Sequence, residues 1–150
     1  MRRRGDWTDI RLRVAARAEG LCEYCLVHND HTMVGCEVDH IVSVKHGGSG
    51  ELHNLAFACQ ACNRSKGTDI ASILSRPARI TRLFNPRSDL WSDHFRLELG
   101  IYIVGITEIG TATVRLLNFN GWKRVEEREM LRDVGLYPTP AARKRIKPSS

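Results

Sequence analysis

Two pairs of cysteines constrain the fold of this chain more than any other feature. Each pair has two residues between its thiols: Cys22 and Cys25 form the first, and Cys59 and Cys62 form the second. This is the knuckle spacing of tetrahedral zinc sites, and two knuckles supply one complete S₄ ligand set. A complete set has no open coordination position. The cysteines therefore predict a structural Zn²⁺ that holds two distant segments together.

The beginning of the chain favours zinc over disulfide bonds. Met1 is followed by three arginines and Gly5 rather than by an apolar stretch, so the sequence predicts no secretory signal. We therefore expect a reducing, cytoplasmic location, where thiols stay free to bind metal. A redox CxxC is the alternative, although redox chemistry needs only one pair. The fifth cysteine, Cys36, is predicted to be a small buried side chain in a strand.

A second group of polar residues lies between and beside the cysteines. Asp39 and His40 are adjacent, Asn54 follows His40 by 14 positions, and Asn63 follows Asn54 by 9 positions, directly after Cys62. Taken singly, each has an ordinary explanation. An Asp-His pair is usual in turns and on surfaces, and an asparagine can cap a turn or a helix. Their joint spacing around the knuckles is what makes the group informative.

Residues 20–67 resemble the HNH endonuclease family in both residue types and intervals. The resemblance implies an α+β fold with a zinc-stapled ββα-metal nuclease core. It implies that Asp39 and Asn63 hold a catalytic Mg²⁺ or Mn²⁺, and that His40 is the general base that activates water, since imidazole titrates near neutral pH. It also implies that Asn54 braces the loop between strand and helix by hydrogen bonds to the backbone.

One position departs from the family name. Many members have histidine where this chain has Asn63. An amide oxygen in place of an imidazole nitrogen favours harder ions such as Mg²⁺ over Zn²⁺ or Ni²⁺. Both residue types serve as ligands in this motif, so the departure changes the expected metal rather than the expected reaction.

The resemblance also implies DNA as the partner, with a 5′-phosphate and a 3′-hydroxyl as products. One site cuts one strand, so a double-strand break needs a homodimer or two encounters. An RNA-directed nuclease stays open, because phosphate contacts alone do not distinguish the two nucleic acids. The alternative from another class is a non-catalytic zinc-binding nucleic-acid-binding module. Such a module needs the cysteines and basic segments, but not Asp39, His40 and Asn63 together.

The net charge of +6 points to a polyanionic partner, but its distribution matters more. Seven of the 23 basic residues lie at the two ends of the chain. The remaining 16 are balanced by 17 acidic residues, so the rest of the chain has almost no net charge. A local excess follows the second knuckle, where residues 64–87 hold six basic residues against Asp69 alone. A solvated face with disordered ends is the ordinary explanation. No apolar run approaches the ~20 residues of a membrane span, so no membrane partner is expected.

Four residues are predicted to contact DNA on the strength of this local charge and of their place in the chain. They are Arg64, Lys66, Arg87 and His94. Arg64 and Lys66 lie on the helix that carries Asn63. A segment from Leu83 onward resembles one that follows the nuclease core in small HNH proteins, and there Arg87 or His94 would reach the scissile region.

Local patterns predict the remaining elements and three regions. Helices are expected over 8–19, 60–67, 109–117 and 122–134, strands over 35–38 and 41–44, an extended segment over 79–84, and a hairpin of 95–99 with 101–106. The regions are a nuclease core over 1–70, a C-terminal extension over 71–140 that contributes the hairpin and helices, and a basic disordered tail over 141–150.

Overall fold

The computed structural model describes residues 4–74 and 79–148, with side chains from Asp6 onward. Its first elements are α1 (Arg4–Arg17), β1 (Cys36–His40), β2 (Leu55–Cys59), α2 (Gln60–Lys66) and β3 (Ala71–Leu74). Then follow β4 (Arg79–Arg82), α3 (Trp91–His94), β5 (Phe95–Glu98), β6 (Tyr102–Gly105), α4 (Glu108–Leu116), α5 (Trp122–Asp133) and α6 (Pro140–Ile146). Several predicted features lie outside the described residues: the basic residues Arg2, Arg3 and Arg76, the loop at Pro77, and the tail end at 149–150.

The first sheet and the helix after it form a ββα unit. β1 and β2 are antiparallel, and their register pairs Asp39 with Ala56 and His40 with Leu55. All five residues of β2 are buried, as expected for a short apolar run covered on both faces. α2 begins directly after Cys59, whose sulfur accepts a hydrogen bond from the first turn of the helix. The chemistry-bearing residues 39, 40 and 63 therefore lie on adjoining elements.

α1 packs against the ββα unit. Val14 and Ala18 are spaced one helical turn apart, and both are fully buried. The helix predicted over 8–19 exists, but it begins earlier, at Arg4, and ends at Arg17. Gly20 follows with a φ of +74°, a left-handed conformation that glycine adopts without strain and that redirects the chain into the first knuckle.

The segment 41–44 is not a strand, and that prediction is wrong. The side-chain amide of Asn54 binds both backbone groups of Val42: Oδ1 accepts from the Val42 N–H at 2.9 Å, and Nδ2 donates to the Val42 carbonyl at 2.9 Å. A neighbouring strand would need the same two groups. Val44–His46 instead form one turn of 3₁₀ helix.

The C-terminal extension follows the predicted order of elements. β5 and β6 form the expected hairpin, with Phe95 opposite Gly105 and Glu98 opposite Tyr102. The helices expected over 109–117 and 122–134 are α4 and α5. β4 falls within the segment predicted to be extended, but the sequence does not predict its antiparallel partner β3. A four-residue strand contains too few alternations to stand out from a loop.

The prediction of a disordered tail over 141–150 is wrong for residues 141–146, which belong to α6. Thr139 caps this helix by accepting a hydrogen bond from the Ala142 N–H at 3.1 Å, and Pro140 occupies the first turn. Ala142 is fully buried and Ile146 packs against the core. A cap and two apolar residues on one face were enough to dock a helix whose other residues are mostly basic.

One cluster of buried side chains extends from α1 to α6. Its centre is aromatic: the Phe95 ring packs on Phe84 at 5.1 Å and on Phe119 at 5.7 Å between centroids. The nuclease-like segment and the extension therefore share a core, whatever boundary is drawn between them. Among the described residues, no helix combines the length and apolar character that crossing a membrane requires.

Candidate active site and metal centre

The four knuckle cysteines converge on one point. All four are buried, and their sulfur atoms lie within 4.8 Å of one another. The Cys25 and Cys59 sulfurs are 3.7 Å apart. A tetrahedron with Zn–S bonds of about 2.3 Å has edges of about 3.8 Å. The cysteines thus fit a Zn²⁺ ion in both donor type and spacing.

Each knuckle is shaped by its own backbone. The Cys25 N–H points at the Cys22 sulfur at 3.5 Å, and the Cys62 N–H points at the Cys59 sulfur at 3.4 Å. These hydrogen bonds curve the backbone around each pair, and each one places an N–H donor next to the sulfur of the first cysteine. Leu26, with a φ of +67°, closes the first turn. The two-residue spacing therefore predicts the local shape, and the β2–α2 junction brings the second pair to the first.

The electrostatics of the cluster call for a cation. Burial raises the pKa of the Cys22 and Cys62 thiols, whereas hydrogen bonds from the neighbouring thiols, that of Cys22 foremost, lower the pKa of Cys25. The site by itself thus favours ionisation of Cys25 and opposes ionisation of Cys22 and Cys62. Four thiolates at this spacing need a bound positive charge, which Zn²⁺ supplies.

Arg124 brings a second positive charge to the cluster from α5. Its Nη2 donates to the Cys62 sulfur at 2.9 Å, while Nη1 donates to the carbonyls of Leu117 at 2.6 Å and Asn118 at 3.3 Å. Burial alone would lower the pKa of Arg124, but the cysteine thiolates outweigh it and raise that pKa above its usual value. No local pattern near Arg124 could have predicted this contact, because its partner lies 62 positions away.

Asp39 lies at the inner face of β1, with 6% of its surface exposed. Its Oδ2 lies 3.1 Å from the Lys66 ammonium nitrogen, with which it forms an ion pair. The same oxygen accepts a hydrogen bond from the Tyr24 hydroxyl at 3.3 Å. Burial raises the pKa of the Asp39 carboxyl, and Lys66 partly opposes that rise. Lys66 also donates to the His40 carbonyl at 3.0 Å, so its ammonium ties the two consecutive residues to α2.

His40 lies on the other side of the strand, as alternation of side chains along a strand requires. It is half-buried, in contrast to Asp39. The ring of Trp7, from α1, meets the imidazole edge-on, with 6.4 Å between centroids and 62° between planes. The sequence does not predict this contact, because Trp7 precedes the first knuckle and belongs to no pattern.

Asn54 holds the loop between the strands. Besides its two bonds to Val42, its Nδ2 donates to the Ser49 carbonyl at 2.7 Å. Gly48 lies tightly against this arrangement: a Cβ on it would fall 1.7 Å from the Val42 carbonyl oxygen and 2.9 Å from Asn54 Nδ2. These contacts hold the glycine-rich loop of residues 47–50 beside β1.

Asn63 and Asp39, the two residues predicted to hold a divalent cation, lie on the adjoining elements α2 and β1. Asn63 precedes Lys66 by three positions on α2, so the two share a helix face, and Lys66 contacts Asp39. Among the described residues, the hydrogen bonds of the Asp39 carboxylate all involve Oδ2. Its other oxygen, Oδ1, is therefore available as a metal ligand. A carboxylate oxygen and an amide oxygen are the donors that Mg²⁺ and Mn²⁺ prefer.

Three of the four residues that were predicted to contact DNA have partners within the protein. Lys66 is 2% exposed and engaged with Asp39. Arg87 is engaged in an ion pair with the buried carboxylate of Glu23. His94 has 14% of its side chain exposed, and its Nδ1 lies 2.6 Å from Thr107 Oγ1. Of the four residues, only Arg64 is exposed.

Tyr24, between the first two cysteines, joins several parts of the molecule. Its hydroxyl donates to Asp39, and its backbone carbonyl accepts from the Trp91 indole N–H at 2.8 Å. Burial raises the pKa of the Tyr24 phenol well above its usual value, so the hydroxyl stays a donor. Glu23, beside it, accepts from the Phe57 N–H at 2.9 Å. The sequence signal that could have pointed to Glu23 and Tyr24 is their position between Cys22 and Cys25.

Comparison with protein families agrees with this geometry. Residues 22–69, about a third of the chain, match the family model for HNH endonucleases. No curated protein and no solved structure matches the chain. The small antiparallel sheets, the helices and the four-cysteine cluster are consistent with the HNH fold. The match indicates a nuclease-type protein that acts on nucleic acid.

Proposed function

We propose that the protein is a metal-dependent endonuclease that hydrolyses DNA phosphodiester bonds at the end of β1. One observation carries this proposal: Asp39 and His40 leave the same strand end on opposite sides, one buried against α2 and one half-exposed. A buried carboxylate suits the binding of a cation, and a half-exposed imidazole suits the transfer of a proton from water.

His40 is the general base in this proposal. Its imidazole takes the proton of the attacking water, a role in which a side chain must reach solvent and still be held in place. Lys66 holds the His40 carbonyl, and Trp7 contacts the edge of the ring. Both contacts limit the directions in which the imidazole can point. Asn54 contributes indirectly, because its three bonds hold the loop that follows β1.

Asp39 and Asn63 are the proposed ligands of the catalytic cation. Bound there, Mg²⁺ or Mn²⁺ would supply positive charge to the scissile phosphate and the leaving oxygen. The Asp39 carboxylate is ready for this task, since its Oδ2 is already fixed by Lys66 and Tyr24. The cysteine cluster takes no part in the reaction, because four sulfur ligands leave no position for substrate.

The ion pair of Lys66 favours one rival function. The ammonium already compensates much of the Asp39 charge, so this site could persist without a divalent cation. The protein would then be a non-catalytic zinc-binding module for nucleic acid. Without divalent cations, that module would bind DNA with the same affinity as the nuclease. It would not cleave DNA in any metal.

Incubation with supercoiled plasmid separates the two functions. We expect no cleavage in EDTA and nicked circles after Mg²⁺ or Mn²⁺ is restored in excess, with little activity in added Zn²⁺. The zinc content should be measured after the EDTA step to show that the structural ion is retained. Plasmid that stays supercoiled in every metal, although the protein retards it in a gel, would establish the rival function. Cleavage that persists in EDTA would rule out the proposed metal.

A further inference from the structure

A cleft of about 300 Å³ opens between α6 and the segment around α3. Three of its lining residues are basic and come from the C-terminal end of the chain: Lys144, Arg145 and Lys147. The opposite wall is mostly apolar and includes Pro86, Leu90 and Trp91. The volume lies at the lower end of the range of small-ligand sites.

The acidic residues in the cleft are already neutralised. Glu23 is paired with Arg87. Asp89 accepts two hydrogen bonds from Arg82, at 2.7 and 3.0 Å, and this arginine lowers the pKa of the Asp89 carboxyl. Of the described acids that line the cleft, only Glu23 also comes near a basic residue of α6, at 3.8 Å from Arg145.

The two lysines of the cleft keep their charge. Both are exposed, and neither takes part in an ion pair among residues 4–74 and 79–148. Arg145, between them in sequence, is partly engaged, with Glu19 and Glu23 each 3.8 Å from its guanidinium. Lys144 lies in the last turn of α6 and Lys147 is the residue that ends this helix, and both line the cleft. They form an uncompensated positive edge.

An apolar wall beside a positive edge matches the two chemical parts of a nucleotide. Leu90 is 55% exposed and so presents apolar surface to the cleft. Proteins that bind single nucleic-acid strands combine cations along the phosphates with side chains on which the bases stack, typically aromatic ones such as Trp91 of this wall. An acidic peptide would use the lysines but would gain little from this wall.

Hydrogen bonds link the cleft to the proposed active site. Tyr24 connects them: its carbonyl holds the Trp91 indole of the cleft, and its hydroxyl holds Asp39 of the site. We propose that this cleft binds the phosphates and one base of the DNA strand that flanks the cut. This inference rests on the proposed function, since DNA is taken as the substrate. It gives α6 the role of a docked arm for the substrate.

Point variants test the cleft without disturbing the fold. Deleting residues 141–150 would remove the buried Ala142 along with the lysines, so it would confound stability with binding. The variant K144Q/K147Q changes only exposed side chains. A matched control is K123Q/R96Q, which removes the same charge from exposed positions that do not line the cleft. Both double variants should melt as the wild type does.

Binding of a labelled duplex and of the labelled single strand is measured in EDTA over a salt series. For K144Q/K147Q we expect Kd to rise about tenfold, with the salt slope smaller by roughly 1–2 units. The control should keep the wild-type slope. Equal slopes and equal Kd for the two double variants would overturn the proposal. So would full displacement of the DNA by poly-glutamate at equal charge, which would indicate a general acidic ligand.

Nicking and binding can fail separately. If the wild type binds DNA through the lysines but never nicks plasmid, the proposed function falls and the cleft stands. If the wild type nicks plasmid and K144Q/K147Q binds like the wild type, the cleft falls and the function stands. The variant L90S adds a test of the base contact: it should weaken single-strand binding by a few-fold without changing the salt slope, because no charge is altered.

Discussion

The cysteine cluster and the proposed Asp39–His40–Asn63 site lie next to each other but differ in their exposure to solvent. They meet at the start of α2, where Cys62 and Asn63 are consecutive. The cluster has four buried ligands and no exposed face. The second site has one buried carboxylate, while His40 and Asn63 are half-buried and open to solvent. One complete ligand set fixes structure, and one incomplete set leaves room for water and phosphate.

The difference shows how a small core can support chemistry. A site that must stay open to water and substrate depends on the surrounding fold to hold its residues in place. Here the closed cluster holds the beginning of α2, and α2 then presents Asn63 and Lys66 to β1. The cluster should therefore matter for folding and the open site for rate. Four substitutions test that division, beginning with the largest expected effect.

Cys62→Ser should abolish the folded state or leave it only partly formed. Zinc affinity is linked to folding, and the loss of one thiolate removes most of that affinity. We expect insoluble or partly unfolded protein with less than one zinc per chain, measured by elemental analysis and circular dichroism. Cys36→Ser is the matched control, because Cys36 is buried but lies outside the cluster. A full equivalent of zinc and a normal melt for Cys62→Ser would disprove the structural role.

His40→Ala should reduce plasmid nicking by about 10²–10⁴-fold, the usual contribution of a general base. Thermal stability and DNA affinity in EDTA should stay near wild type, because His40 is half-buried and is not a ligand of either metal in this proposal. His53→Ala, an exposed histidine beside Asn54, is the control. If His40→Ala nicks plasmid at the wild-type rate, another residue must act as the base. The proposed division between a cysteine cluster for folding and an open site for rate would then fail at His40.

Lys66→Met should destabilise the protein by about 3–5 kcal/mol, the usual effect of leaving one member of a buried ion pair alone. Burial raises the pKa of Asp39, and this variant lacks the opposing ammonium. The folded carboxyl then binds protons more readily than the unfolded one, so the free energy of unfolding falls as pH rises. The deficit relative to wild type should therefore be smallest at acidic pH.

Urea melts at several pH values measure this effect. Arg64→Met, an exposed position on the same helix, provides the control. The double variant Lys66→Met/Asp39→Leu should recover part of the lost stability, since neither charge is then left alone. A Lys66→Met protein as stable as Arg64→Met at neutral pH would contradict the buried ion pair.

Arg124→Met should leave the protein folded but loosen its zinc. The guanidinium donates to the Cys62 sulfur, and substitutions of groups that support metal ligands typically reduce metal affinity by about 10–100-fold. Zinc transfer to a chromophoric chelator should be faster by a similar factor. Lys123→Met, the exposed neighbour, should release zinc at the wild-type rate. Identical release from both variants would show that α5 does not support the cluster.

Much of the candidate site could be predicted from the sequence, because it depends on short spacings. Two intervening residues shape each knuckle. Adjacent positions on a strand place Asp39 and His40 on opposite sides, and the step from Cys62 to Asn63 joins cluster to site. The β5–β6 hairpin and the helices α4 and α5 were predictable for the same reason: their periodicity is local.

Only the tertiary structure decided which charged residues are available to a substrate. Lys66 and Arg87 are indistinguishable from surface residues in sequence, yet each is paired with a carboxylate, at Asp39 and Glu23, that lies 27 or 64 positions away. The same holds for α6, which is too short and too basic to be stable alone and is held by buried contacts from elsewhere in the chain. Local sequence determines backbone shape and ligand spacing. Burial of charge depends on partners that only long-range packing brings together.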